Sequence, residues 1–312
     1  MKNTIISIIC LVLASAASYG QQSISYTQFI MNKQQLNPGY TGYRETLNAT
    51  MSHRSQWIGF KGAPSTQILS FDTPLKKGLA VGASLIHDKI GPTSELSIST
   101  DIAYRVRVRR QRTFSFALKA SGSLYQSRLD QVALTSDYYG IVDEDFVESG
   151  EKFIIPNIGF GFYYYTGKTY FGVSSPKMLR MKMAKKGTIA YEQLNGTTEP
   201  TYYLMAGHNY KINRVLRVQP NFISQFTVNS PLSLGVHLNF IYMKEFTTGV
   251  FYHFGESAGA IVQWQFDKKW KVGYSIEIAA NNLIKTNFGS HEIIINYTMK
   301  QKRNRVVFPR YF

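Results

Sequence analysis

Between residues 46 and 299, apolar and polar side chains alternate with a period of two in segment after segment of about ten residues, and this restricts the fold more than any other property of the chain. In 97–108, Ile98, Ile102, Tyr104, Val106 and Val108 share one face, and Ser97, Ser99, Asp101, Arg105 and Arg107 share the other. From Phe114 onward, Phe116, Leu118 and Leu124 oppose Ser115, Lys119, Ser121 and Ser123. Residues 232–240 set Leu232, Leu234, Val236, Leu238 and Phe240 against Ser233, Gly235, His237 and Asn239. Such segments fall near 46–54, 66–73, 79–88, 95–108, 113–125, 157–166, 169–174, 201–210, 215–227, 231–241, 245–254, 257–266, 270–279 and 291–299. They number about 14, an even count, as bacterial outer-membrane barrels have. After the first twenty residues no apolar run approaches the roughly 18 residues of a membrane helix. The expected fold is all-β: a transmembrane antiparallel β-barrel, closed because lipid tolerates no open sheet edge.

The connections sort by side. Every second one is short and basic: Lys76-Lys77, Arg109-Arg110-Gln111-Arg112, Gly167-Lys168, Lys211 to Arg214, Met243-Lys244 and Asp267-Lys268-Lys269. The others include the long ones, 126–156 and 175–200. Short turns on one side and long loops on the other predict short periplasmic turns and longer extracellular loops. An even strand count predicts both chain ends on the periplasmic side. After the last strand, a basic tail over 300–312, with Arg303 and Arg305, is too charged for a further membrane strand.

Residues 1–20 have a single cation at Lys2, an apolar stretch from Ile5 to Leu13, and small residues at Ser18 and Gly20, the layout of a secretory signal peptide. Residues 21–45 then form a periplasmic N-terminal arm that enters the barrel; whether it plugs the lumen stays open at this stage. The single cysteine, Cys10, lies inside the signal, so the exported chain has neither disulfides nor thiol chemistry. A formal charge of +16 fits nucleic acid, anionic lipid or an acidic partner, and export sets nucleic acid aside. The basic turns, Lys76, Lys77, Arg109, Arg110, Arg112, Lys268 and Lys269, together with Arg303 and Arg305, form a candidate docking surface for a periplasmic partner or for lipid head groups.

The sequence contains no convincing chemical site. His291-Glu292 begins like a zinc-protease box but lacks the second histidine and sits on a strand. His87, His208, His237 and His253 share no spacing, so no metal site is expected. The acidic loop Asp137, Asp143, Glu144, Asp145, Glu148 reads as a solvated extracellular loop, with weak divalent-cation binding at Asp143 and Asp145 as its alternative. Gly159 and Gly161 lie within a strand, with no helix to hold a phosphate. No catalytic residue and no cofactor are expected.

Residues 54–74, RSQWIGFKGAPSTQILSFDTP, combine a Gly/Pro-punctuated tryptophan loop (Arg54, Gln56, Trp57, Gly62, Pro64) with a strand halting at Asp72-Thr73-Pro74. This block resembles the signature of the PorP/SprF family, outer-membrane proteins of the type IX secretion system of Bacteroidota. Leu36-Asn37-Pro38-Gly39-Tyr40-Thr41-Gly42 is similar to its NPAYAG element, with glycine at 39 and threonine at 41. Leu85 to Pro92 is similar to its NDKIGP element, ending in Gly91-Pro92, with His87 replacing asparagine. The resemblance implies a non-enzymatic outer-membrane component that supports secretion and surface anchoring of a partner substrate. It further implies that this partner is adhesin-like, with a type IX-type C-terminal domain, as in gliding motility. Periplasmic type IX or peptidoglycan-associated proteins and outer-membrane lipid are further implied partners. On this topology Trp57 caps the first extracellular hairpin and is the first place expected to meet the partner. A general porin, and an outer-membrane hydrolase, are the alternatives.

Overall fold

A computed structural model describes residues 27–109, 112–128, 152–182, 197–280 and 288–299. Its 14 barrel strands follow one another around a closed antiparallel ring. They are β1 Asn48–Ser55, β2 Ser65–Pro74, β3 Leu79–Ile90, β4 Thr93–Arg109, β5 Arg112–Ser127, β6 Lys152–Tyr165 and β7 Thr169–Lys177. The second half contains β8 Thr201–His208, β9 Leu216–Thr227, β10 Ser233–Tyr242, β11 Phe246–His253, β12 Ser257–Trp264, β13 Trp270–Ala279 and β14 Ser290–Thr298. The ring closes on itself where β1 pairs with β14, from Asn48↔Thr298 to Ser55↔His291. Closure removes free strand edges, whose N–H and C=O groups lipid could not satisfy.

Every segment that alternates in sequence is a strand. Most boundaries shift by one or two residues, and three differences are informative. β6 starts at Lys152 instead of 157 because 152–156 pair with 122–126 of β5. β7 continues to Lys177, and beyond it Met181–Lys182 and Thr197–Thr198 form a two-residue ribbon in what reads as loop. β8 stops at His208, and Tyr210–Lys211 resume the pairing with β9.

Alternation becomes an inside and an outside. In β11, Phe246, Thr248, Val250 and Tyr252 face out, while Thr247, Gly249, Phe251 and His253 face in. Large apolar side chains such as Ile98, Ile102, Leu118, Ile154 and Ile293 are exposed around the wall, and Thr50, Ser70, Asn239, Gln263 and Asn296 are buried within it. A continuous apolar exterior of this kind is stable against lipid, not water.

At one end of the barrel the connections are all short: 75–78, 110–111, 166–168, 209–215, 243–245 and 265–269. Met243 and Lys244 both adopt left-handed φ there, 49° and 65°, matching the twist of the strands they join. The long connections lie at the other end, together with tight ones at 91–92 and 254–256. These are called the short-turn end and the long-loop end below. Among the described residues no helix is long and apolar enough to cross a membrane.

Candidate functional site

The lumen is occupied by the chain itself. Residues 27–43 form a strap that crosses it and is buried along its length, including the polar Thr27, Gln28, Asn32, Lys33, Gln34, Gln35 and Asn37. Two single-turn 3₁₀ segments, Lys33–Gln35 and Pro38–Tyr40, fold it compactly. The second is set by its sequence: the Asn37 side chain accepts the Gly39 N–H at 2.8 Å, and the Pro38 ring fixes its own φ at the first position of the turn. Asn37 Nδ2 donates to the Phe162 carbonyl at 3.0 Å, and Ser174 Oγ donates to the Leu36 carbonyl at 2.7 Å. The wall makes room for this turn. A Cβ at Gly161 would fall 2.3 Å from Asn37 Oδ1 and 2.6 Å from the Gly39 nitrogen, and one at Gly172 would fall 2.7 Å from Asn37 Nδ2.

Further contacts lock the strap to the wall. Gly42, at φ +74°, donates its N–H to Asp72 Oδ2 at 2.9 Å, while Asp72 Oδ1 accepts Asn48 Nδ2 at 2.9 Å. Gln34 Nε2 donates to Asp101 Oδ2 at 2.9 Å, and Asp101 pairs with Lys119 at 3.0 Å. Tyr40 and Tyr43 stack at 4.9 Å and meet Tyr163 edge-on, and the Lys33 ammonium sits 3.8 Å from the Tyr170 ring centroid. Nearer the long-loop ends of β1 and β14, Arg54 pairs with Glu277 at 2.8 Å and lies 3.7 Å from Glu292. Arg54 Nη1 donates to Thr27 Oγ1 at 3.0 Å, and the Thr27 hydroxyl bonds both Ser275 Oγ and Glu292. The strap therefore runs from this ionic knot down to Arg44 at the short-turn end.

The long-loop mouth is braced by backbone. In the 56–64 loop, the Gln56 N–H donates to the Pro64 carbonyl at 2.9 Å. Ile58 N–H donates to Gly289 O at 2.9 Å, and Phe288 N–H returns to Ile58 O at 2.8 Å. The Gly91 N–H donates to Gly62 O at 2.9 Å, tying the loop to the β3–β4 turn at Gly91-Pro92. Trp57, at φ +47°, is half-buried, with its N–H on Ser290 Oγ at 3.2 Å. The large apolar side chains that project from this braced pair of segments are Ile58, 40% exposed, Phe60, 55%, and Phe288, 81%. Phe60 lies inside the tryptophan block, so its role was within reach of the sequence. Phe288 lies between strands, where no periodicity marks it.

The family-motif residues thus divide in two. Asn37, Pro38, Gly42, Arg54 and Asp72 interlock strap and wall inside the lumen. Gln56, Trp57, Gly62, Pro64, Gly91 and Pro92 come together at the long-loop mouth, and Pro74 ends β2 at the short-turn end opposite Ala80. Of the basic candidates, Lys76, Lys77, Arg112, Lys268 and Lys269 are exposed on the short-turn rim, and Arg109 ends β4. Arg110, Arg303, Arg305, the acidic loop Asp137 to Glu148, the signal segment 1–20 and the tail 300–312 lie outside the described residues. His291 and Glu292 face opposite sides of β14: His291 Nδ1 contacts the Tyr274 hydroxyl at 2.5 Å, while Glu292 points inward. His237 and His253 do meet, Nε2 to Nε2 at 3.3 Å, but no group of three metal-ligating residues occurs among the described residues.

An apolar exterior, a polar interior and a closed ring define an integral outer-membrane β-barrel, here crossed by its own N-terminal segment. The chain matches the family model of the type IX secretion system membrane protein PorP/SprF over residues 18–297, and it belongs to that family. No curated protein matches it. Among solved structures it is similar to the CymD monoaromatic hydrocarbon channel, with a TM-score of 0.51 and 12% identity, covering 94% of this chain and 98% of that one. A TodX deltaS2S3 mutant monoaromatic hydrocarbon channel gives 0.50 and 10%, covering 91% and 97%. Omp33 of Acinetobacter baumannii gives 0.43 and 8%, covering 82% and 100%. At such identities the likeness is one of fold.

Proposed function

We propose that this component of the type IX secretion system acts without catalysis, as a closed platform that holds an exported, adhesin-like substrate at the cell surface through its long-loop mouth. The observation that carries the proposal is the pairing of a strapped lumen with a braced loop presenting Ile58, Phe60 and Phe288. A barrel whose interior is filled by its own hydrogen-bonded chain is suited to holding rather than to passing solutes. Apolar side chains on a rigid backbone frame lose little entropy when a partner covers them. The long-loop end is extracellular in this reading, because outer-membrane barrels keep their short turns in the periplasm. The opposite rim, with Lys76, Lys77, Arg112, Lys268 and Lys269, then faces periplasmic type IX or peptidoglycan-associated proteins and anionic lipid.

The test is the double variant Phe60→Ser/Phe288→Ser, expressed in the native host, with surface retention of type IX substrates read by whole-cell labelling. Barrel assembly should match wild type, and at least one large substrate should shift from the cell surface to the medium. Wild-type retention of every substrate, with the barrel present at normal levels, would refute the mouth as the holding site.

A further inference from the structure

Two half-buried cations, Arg44 and Lys271, lie at the short-turn end of the lumen. Arg44 leaves the strap and reaches the β1–β14 seam, donating to Asn48 Oδ1 at 3.0 Å, Thr298 Oγ1 at 3.3 Å and Asn296 Oδ1, to the Tyr40 hydroxyl at 3.4 Å and, weakly, to the Met31 carbonyl at 3.5 Å. Every one of these acceptors is neutral. Lys271 is the register partner of that same Asn296. Its neighbour Trp270 faces out, and Gly273, two positions along, packs against Gln28 of the strap, which places Lys271 on the lumen face beside Arg44. Lys33 lies deeper, fully buried over the Tyr170 ring.

Asp72, a carboxylate at this end, accepts the Gly42 N–H on one oxygen and the Asn48 amide on the other. Among the described residues neither Arg44 nor Lys271 enters an ion pair. Both are half-buried, screened from bulk water yet reachable from the short-turn end. Like charges gathered in such a place are costly without a counter-charge. A guanidinium beside an ammonium is the donor pair that suits a tetrahedral oxyanion.

We propose that Arg44 and Lys271 form a binding site for a phosphate-type oxyanion at the short-turn end of the lumen. The anion bridges the two cations and joins the strap, through Arg44, to the barrel wall, through Lys271. Its phosphate comes either from free inorganic phosphate or from a lipid head group reaching in at the rim. The inference is independent of what the long-loop mouth holds.

The test is calorimetric titration of inorganic phosphate into the full-length barrel in neutral detergent, alongside Lys271→Met, Lys271→Arg and the exposed-turn control Lys269→Met. Saturable binding at one site is expected, weakened at least about tenfold by Lys271→Met, retained by Lys271→Arg and unchanged by Lys269→Met. Lys271→Gln serves if the methionine variant does not assemble. A second titration uses short-chain phosphatidylglycerol: tighter binding that phosphate displaces assigns the site to lipid, and phosphate binding alone assigns it to the free anion. Absence of saturable phosphate binding by wild type, or equal affinity in the Lys271→Met or Lys271→Gln protein, overturns the proposal.

Discussion

Arg54→Met puts the ionic knot to a quantitative test. The Arg54 guanidinium holds Glu277 at 2.8 Å and Glu292 at 3.7 Å, with the three side chains 5%, 10% and 5% exposed, so solvent screens the pairs little. Removing the cation leaves two carboxylates buried together and takes a donor from Thr27 Oγ1. Breaking a buried pair by deleting one partner costs about 3–5 kcal/mol, and the lost hydrogen bond adds about 1 kcal/mol. The variant should therefore be about 4–6 kcal/mol less stable than wild type, measured by urea unfolding in lipid vesicles with tryptophan fluorescence. Proteolysis within 27–43 should also quicken, because the strap end loses its tether. The triple variant Arg54→Met/Glu277→Gln/Glu292→Gln carries no orphan charge, and neutral replacement of a whole buried ion cluster is usually tolerated, so it should recover most of the loss. A single variant within about 1 kcal/mol of wild type, or a triple as unstable as the single, would refute the reasoning.

Two further outcomes follow from the strap. Gly161→Ala places a methyl 2.3 Å from Asn37 Oδ1 and 2.6 Å from the Gly39 backbone nitrogen, so strap or strand must shift; a loss of about 1–3 kcal/mol and faster proteolysis within 27–43 are expected, and unchanged cleavage would contradict the close fit. In planar bilayers the wild-type barrel should be electrically quiet, and a variant lacking residues 27–43 should conduct ions; steady porin-like conductance by wild type would show that the strap does not close the lumen.

The wall of this protein was legible because a strand facing lipid on one side and a polar interior on the other must alternate, residue by residue, along its whole length. The strap was not legible, and for the same reason. Gln28, Asn32, Lys33, Gln34 and Gln35 are polar yet buried, so composition marks an arm entering the barrel without showing that it fills the lumen, while the partners of Gln28 and Gln34, Glu292 and Asp101, lie far away in sequence. The local trace was Asn37-Pro38-Gly39, which marks a turn without saying what it turns against. Trp57 is the large aromatic that stands out in the loop sequence, but it has a left-handed backbone, bonds Ser290 and is half-buried, and Phe60 is the more exposed. Phe288, its neighbour across the mouth, belongs to no periodic segment.

The β1–β14 seam also imposes an order of events. Arg44 bonds Asn48 on the first strand and Asn296 on the last, and Thr27 bonds Arg54 of β1 and Glu292 of β14. Contacts that join the strap to β1 and β14 at once can form only when those two strands are paired, so strap and seam are completed together. Assembly of this barrel is a capture, in which the strap serves as the mandrel around which the final strand comes to rest.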